Sequence, residues 1–439
     1  MALYRGLRAR ALLAGGAVAL AALAVAVPAV ADPATVVAYP AGASATQYSG
    51  LAFDTCTAPP LAAIQAWGAS PYRAIGVYIG GVNRTCGQPQ LTASWVTAVS
   101  KLTWRLLPIY KGPQPACGGK ATDKKIIPAQ AASQGTAAAD DAIAKATALG
   151  IRPGSAFYND IENYSRTDGA CRTAVLTYLS AWTRELHRLG YVAGVYANLS
   201  SGAPDLSGTY ASASYARPDA LWIARYDGST SLTGWAGVPN GQWAVHQRAK
   251  QYRGTHNEAY GGVTISIDND KLDAPAATVG YGYKVTSTSA LNARTGPSTS
   301  YPVATTYAPG ATVPVACQAP GSAVATTRVW DKLTTGGYVT DYYVSTPSNA
   351  GYSPPLPRCS YPYQVTATSG TSARTGPGTS YPVAATLQNG ALAWVTCQAP
   401  GSLVHTTKVW DKLTDGHWVT DYYVATRSKT TYTPPIPRC

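Results

Sequence analysis

Asp160 and Glu162 stand two positions apart in Phe157-Tyr158-Asn159-Asp160-Ile161-Glu162, a run whose aromatic and β-branched character reads as a β-strand. Residues i and i+2 of a strand point to one face, about 7 Å apart at a rise of ~3.3 Å per residue. Two carboxyl groups at that scale suit glycoside hydrolysis. One is kept neutral to protonate the leaving oxygen, and the other stays ionised to stabilise or capture positive charge at the sugar. The chain holds three Glu. Glu185 falls in a helical pattern and Glu258 in a loop, which leaves Glu162 as the candidate acid and Asp160 as its partner. Asp54 closes a second candidate strand, Leu51-Ala52-Phe53-Asp54, and Asp268 closes a third, Ser266-Ile267-Asp268. If these ends share one mouth, four carboxylates converge there, which is costly unless they are paired or functional. A solvated strand end or a salt bridge is the alternative for the D-x-E alone. Sugar rings stack on aromatic faces, so Tyr78, Tyr110, Tyr158, Tyr196 and Trp243, in or at the ends of candidate strands, are substrate-binding candidates, with ordinary core as the alternative. On this alternation Asn159 and Asn163 face away from the mouth.

Rival chemistries leave no trace. There is no G-x-S-x-G elbow, no H-E-x-x-H and no P-loop, the five His are scattered, and no C-x-x-C pair exists, so neither metal nor cofactor is expected. His246 reads as structural.

The elements that must position these carboxylates lie between residues 48 and 273, where β-branched or aromatic runs alternate with Ala-rich amphipathic stretches, the pattern of βα units. Eight strands are expected near 50–54, 74–80, 105–110, 155–162, 191–197, 220–226, 242–247 and 263–268. Helices are expected at 58–69, 91–102, 129–149 and 172–189. The fold class is therefore α/β, a (β/α)8 TIM-like barrel, whose chemistry sits where strands end. A doubly wound open sheet is the runner-up, but no G-x-G-x-x-G follows the first strand.

Beyond a linker at 274–282, residues 283–359 and 363–439 align without a gap. Ala293-Arg294-Thr295-Gly296-Pro297 recurs at Ala373-Arg374-Thr375-Gly376-Pro377, and Val329-Trp330-Asp331-Lys332-Leu333 at Val409-Trp410-Asp411-Lys412-Leu413. Short Val/Thr/Tyr runs broken by Gly and Pro make each copy a small all-β barrel, with units at 283–359 and 360–439. Each copy closes its own disulfide, Cys317–Cys359 and Cys397–Cys439, pinning a Pro-rich tail that cannot be an interior strand. In the first domain, Cys56–Cys86 and Cys117–Cys171 are expected because each pair follows neighbouring strands. With all eight Cys paired, none is a nucleophile.

Residues 1–31 read as a secretory signal peptide, with Arg5, Arg8 and Arg10 before an Ala/Leu/Val run that ends at Ala29-Val30-Ala31, and 32–47 as an N-terminal linker. No later stretch is long and apolar enough to span a bilayer. Removing the leader takes Lys+Arg from 34 to 31 against 21 Asp+Glu, a charge of +10. Scattered basicity with no Lys/Arg run interleaved with aromatics favours an anionic envelope polymer over nucleic acid, or a solvated surface with no specific partner. A secreted monomer, extracellular or wall-associated, is expected.

Phe53-Asp54-Thr55-Cys56-Thr57-Ala58-Pro59, Ile79-Gly80-Gly81-Val82-Asn83, Asp160-Ile161-Glu162 and Tyr260-Gly261-Gly262-Val263-Thr264-Ile265-Ser266-Ile267-Asp268 together resemble the glycoside-hydrolase-like family catalogued as domain of unknown function 1906. That family is similar in turn to the family 25 lysozymes, which cleave the peptidoglycan glycan. The resemblance implies a site made of Asp54, Asp160, Glu162 and Asp268, with Glu162 the acid and Asp160 supporting charge or the substrate acetamido group. Two departures are Thr55-Cys56 after Asp54 and Asn269-Asp270 after Asp268. The repeats resemble bacterial Src-homology-3-like domains through Asn292-Ala293-Arg294-Thr295-Gly296-Pro297, with Ser372 replacing that Asn in the second copy. Such modules commonly bind peptidoglycan peptides. The combined expectation is a muramidase-like cell-wall hydrolase with tandem wall-binding modules. The alternative is a non-catalytic envelope-binding protein whose barrel is a degenerate glycosidase.

Overall fold

A computed structural model describes residues 46–439 apart from Pro355. The expected signal peptide and nearly all of the N-terminal linker lie outside the described residues. In chain order the first domain runs β1 (Thr46–Thr55), α1 (Leu61–Ala66), β2 (Ala74–Gly80), α2 (Ala93–Lys101), β3 (Arg105–Tyr110), α3 (Ala131–Ala148), β4 (Ile151–Arg152) and β5 (Ala156–Ile161). It continues with α4 (Gly169–Arg188), β6 (Val192–Asn198), α5 (Gly202–Gly208), β7 (Ala220–Ala224), β8 (Arg248–Tyr260) and β9 (Val263–Ala276). Strands β1, β2, β3, β5, β6, β7, β8 and β9 close into a barrel in that order, which disposes of the open-sheet alternative.

The barrel departs from (β/α)8 in its last strand. Neighbours from β1 to β8 pair in parallel, but β9 is antiparallel to both β8 and β1. The cause is local: Gly261 and Gly262, at φ 56° and 77°, make a two-residue turn, and so short a loop joins only antiparallel strands. The strand expected at 242–247 is a turn, and β8 begins at Arg248. Its upper half alternates half-buried and exposed residues as one arm of a hairpin, so it lacks the apolar run of a barrel strand.

Two layers of core follow from strand alternation. Outward residues such as Phe53, Ile75, Leu106 and Phe157 pack with the helix side chains Trp95 and Trp182 and the loop residue Trp104. Inward residues Ala52, Ala74, Leu107, Tyr158, Trp222, Leu272, Ala274 and Ala276 fill the barrel, and that same buried cluster contains Leu392 and Trp394 from the second repeat. The first repeat has Thr312 and Pro314 at the matching positions. Leu392 N donates to Gln247 Oε1 at 3.3 Å, and Arg217 donates to the carbonyls of Asn389 and Gly390. A Cβ on Gly390 (φ 70°) would lie 1.8 Å from Arg217 Nη2, so only glycine admits the arginine. The second repeat thus seals the end of the barrel where the parallel strands begin.

The segment expected as a linker is structured. Residues 274–276 complete β9, β10 (Thr278–Val279) pairs with β4, and Tyr281 accepts from Arg105 Nη1 at 3.1 Å. The first repeat contains β11 (Tyr281–Lys284), β12 (Leu291–Arg294), β13 (Val303–Tyr307), β14 (Thr312–Val324), β15 (Thr327–Leu333) and β16 (Tyr338–Thr340). The second repeats them as β17 (Tyr361–Gln364), β18 (Thr371–Arg374), β19 (Val383–Leu387), β20 (Leu392–Val404), β21 (Thr407–Leu413) and β22 (Trp418–Thr420). Each is a six-stranded antiparallel sheet curled into a half-barrel rather than the closed barrel expected. All four disulfides pair as expected.

A buried acid pair organises each half-barrel. Gln318 Nε2 donates to Asp331 Oδ1 and Asp341 Oδ1, both at 2.9 Å, while its Oε1 accepts from Ser353 N at 2.7 Å and its backbone carbonyl from Cys359 N at 2.9 Å. Gln398, Asp411, Asp421, Thr433 and Cys439 repeat the arrangement. Both acids of each pair are fully buried, and burial first and the neighbouring carboxyl second push Asp331 and Asp411 well above the usual carboxylate range. Tyr338 and Tyr361 join the repeats hydroxyl to hydroxyl at 2.5 Å.

Candidate active site at the barrel mouth

The ends of β1 and β5 and the descending start of β9 bring the four expected acids to one mouth. Asp54 lies directly across from Asp268 in the β1–β9 register, because β9 enters the barrel from above. An open pocket of about 430 Å³ is lined by Asp54, Thr55, Tyr78, Thr255, Ser266 and Asp268, among others. Asp160 is buried on the inward face of β5, and Tyr78 on β2 donates to its Oδ2 at 3.5 Å. Glu162, one residue past β5, leaves 43% of its side chain exposed at the rim.

Three residues that the sequence pattern did not single out control these acids. Lys111, the first residue after β3, donates to Asp160 Oδ2 at 3.0 Å and also to Glu162 Oε1. Gln114 brackets the same segment: its Nε2 donates to the Asp160 carbonyl at 2.7 Å, and its Oε1 accepts from Glu162 N at 2.9 Å. On the other wall, Gln251 Nε2 donates to Asp54 Oδ2 at 2.5 Å and Asp268 Oδ2 at 3.1 Å. Its Oε1 accepts from Tyr196 at 2.7 Å and Tyr226 at 2.8 Å, which fixes the amide orientation. Asp270, two residues beyond Asp268 on the same face, accepts from Trp222 Nε1 at 3.1 Å and hydrogen-bonds Asp54. No alternation or spacing rule marks a polar residue in the loop after a strand, so Lys111 and Gln114 were invisible, and Gln251 was missed because it lies in β8, which begins only at Arg248, beyond the strand expected at 242–247. Asp270 was visible as i+2 from Asp268.

Proton affinities in this cluster rise chiefly through burial. Desolvation, then the Asp268 charge, push Asp54 up to about 8. Desolvation first, with Asp54 and Asp268 adding to it, holds Asp270 well above the carboxylate range. Burial also pushes Asp160 up, to about 6, against the opposing pull of Lys111. Lys111 itself is raised: burial opposes its charge, and the two carboxylates more than reverse that. The acids with strongly raised proton affinity are therefore Asp54, Asp160 and Asp270, while the exposed Glu162 sits against an ammonium.

The expected aromatic lining is mostly elsewhere. Tyr78 lines the pocket, and Tyr196 reaches it through Gln251. Tyr158 is fully buried inside the barrel, donating to the Pro275 carbonyl at 2.7 Å, because inward residues near the start of a strand fill the core. Tyr110 faces the helices, packs on Trp182 and donates to Asp141 Oδ2 at 2.9 Å. Trp243 lies in the turn before β8, fully buried with its Nε1 on the Pro218 carbonyl at 2.8 Å. Asn159 faces the helix side, its Nδ2 3.1 Å from Tyr178 Oη of α4. His246 pairs with Asp273 at 2.6 Å, remote from the mouth. Among the described residues no group of three or more His, Cys, Asp or Glu is arranged to hold a metal, and no helix is long and apolar enough to cross a membrane.

Residues 65–272 match the family described as Rv2525c-like, glycoside hydrolase-like domain. Among solved structures, the chain is similar to the Tat-secreted protein Rv2525c of Mycobacterium tuberculosis, at 15% identity over 51% of this chain and 96% of that one, TM-score 0.37. It is similar to a family 25 glycosyl hydrolase from Bacillus anthracis at 14% identity over 53% and 94%, TM-score 0.33. A third likeness is the modular autolysin LytC of Streptococcus pneumoniae, at 12% identity over 51% and 46%, TM-score 0.32. No curated protein matches the chain.

Proposed function

We propose that this chain is a secreted, muramidase-like hydrolase of the peptidoglycan glycan, with the barrel carrying the chemistry and the half-barrel repeats, Src-homology-3-like by their motifs, contacting the wall. The observation that carries the reading is the convergence of Asp54, Asp160, Glu162 and Asp268 around Tyr78 at one barrel mouth, where Asp54, Asp268 and Tyr78 line an open pocket. The match of residues 65–272 to a glycoside hydrolase-like family supports it. In this reading Glu162, the most accessible acid of the D-x-E pair, delivers the proton to the leaving oxygen. Asp160, buried behind it, stabilises the positive charge that develops at the sugar or the acetamido-derived intermediate. Asp54 and Asp268, held by Gln251, bind the sugar. Four disulfides and the leader-like N-terminus support an oxidising, extracellular or wall-associated location.

A second reading, a non-catalytic envelope-binding protein, is favoured by Lys111, which occupies the space between the two carboxylates that hydrolysis needs free. Release of reducing ends from purified peptidoglycan separates the two. Release supports the hydrolase. None from several wall types across pH 4–8, with wall binding retained, selects the binder.

A further inference from the structure

We propose that Lys111 is a built-in occupant of the catalytic mouth, an ammonium standing where the positive charge of the glycosidic transition state would develop, which keeps the Asp160–Glu162 pair idle until a glycan displaces it. This rests on the hydrolase reading for its consequence, though not for its geometry.

The geometry is specific. The Lys111 side chain is 17% exposed, and its Nζ contacts one oxygen of each carboxylate, 3.0 Å from Asp160 Oδ2 and in closer contact with Glu162 Oε1. Its backbone is fixed at both ends, with Lys111 N donating to the Gly80 carbonyl at 3.1 Å and Asn83 N donating to the Lys111 carbonyl at 3.1 Å. Gly81, at φ 106°, makes this fit, since a Cβ there would lie 2.1 Å from the Lys111 oxygen. The β2 and β3 loops thus hold the lysine stem, while Gln114 holds the D-x-E backbone from the other side.

A glycosidase site is complementary to a cation placed between two carboxyl groups, one of which must still own a proton. An ammonium in that place satisfies both acids electrostatically and occupies the Glu162 oxygen that would otherwise face the leaving group. A bound glycan lifts the block by moving Nζ away from Glu162.

The test uses the full chain in three forms, wild type, Lys111→Met and Lys111→Arg. Each is titrated with a tetramer of β-1,4-linked glucosamine as a cationic sugar probe and assayed for reducing ends on peptidoglycan. Lys111→Met should bind the cationic tetramer at least tenfold more tightly than wild type, and Lys111→Arg should stay near wild type. Equal binding by wild type and Lys111→Met, or gain in Lys111→Arg as well, overturns the proposal. If Lys111→Met gains binding and also cleaves at least tenfold faster, the clamp and the hydrolase reading both stand. If it gains binding and no form cleaves, the clamp stands and the hydrolase reading falls. If wild type cleaves and Lys111→Met is slower, the clamp falls and the hydrolase reading stands. Amine-directed labelling of the wild type read by mass spectrometry gives a check that needs no variant. Lys111 should label slowly alone and faster with muramyl oligosaccharide present, and unchanged or slower labelling in a form that binds the oligosaccharide overturns displacement.

Discussion

Replacing Trp394 by Ala should destabilise the barrel, although the residue belongs to the second repeat. Trp394 is about 1% exposed and shares one buried cluster with Ala74, Leu272, Ala274 and Ala276 at the barrel floor. A tryptophan buries about 150–250 Å², which at about 25 cal/mol per Å² corresponds to roughly 4–6 kcal/mol of transfer free energy. Truncations of buried Trp to Ala cost about 3–5 kcal/mol. Its Nε1 has no hydrogen-bond partner, so no polar contact is lost and the cost is one of transfer and cavity alone. Taking about 4 kcal/mol and ~2 °C per kcal/mol for large domains, the unfolding midpoint should fall by about 8 °C where barrel and repeat melt together. The assay is thermal unfolding by circular dichroism with amide hydrogen exchange mapped by mass spectrometry. Peptides covering Ala74, Ala156, Ala220 and 274–276 should exchange faster in Trp394→Ala. Trp410 lies inside the second half-barrel with its Nε1 on the Ser402 carbonyl at 2.9 Å, and Trp410→Ala serves as the contrast, loosening that repeat first. A midpoint within about 2 °C of the parent and unchanged exchange at the floor would refute the idea that the repeat closes the barrel.

Glu162→Gln should lower glycan cleavage by about 10²-fold or more while leaving wall sedimentation unchanged, because Gln keeps the shape but delivers no proton; near-parent turnover would move the acid to Asp54 or Asp268. Stability should fall as pH rises from 5 to 9. Asp160 and Asp421 are pushed up to about 6 and Asp54 to about 8, so the folded state holds these protons more tightly than the unfolded chain. Their contribution is complete below about pH 4 and is lost as pH passes 6 and then 8, with a ceiling near 3 kcal/mol for Asp160 at about 1.4 kcal/mol per unit. Denaturant midpoints at pH 5, 7 and 9 check this, and a rising series contradicts it, while Asp54→Asn should flatten the step near pH 8. Residues 281–439 alone should sediment with purified walls; if they remain in the supernatant while the full chain sediments, wall binding belongs to the barrel.

The sequence alone carried what depends on local pattern. A gapless recurrence of Arg-Thr-Gly-Pro and Val-Trp-Asp-Lys-Leu marked two like units, and apolar runs between amphipathic stretches marked most barrel strands, because burial on both faces leaves no other residue types there. Even cysteine spacing within each repeat paired the tails correctly. The D-x-E motif located the mouth, since a period of two sends Asp160 inward and Asn159 toward the helices. Strand direction was a different matter. The Gly261-Gly262 turn was not read as a hairpin, and a period-two pattern reads the same upward and downward, so β9 reversed without changing which of its residues face inward. Depth along a strand was equally silent, and Tyr158 became core while Tyr78 reached the pocket. Only the folded chain set Lys111 between two acids and Trp394 beneath the barrel, because each contact joins residues separated by tens to hundreds of positions, and their neighbours in sequence bear no mark of the partner.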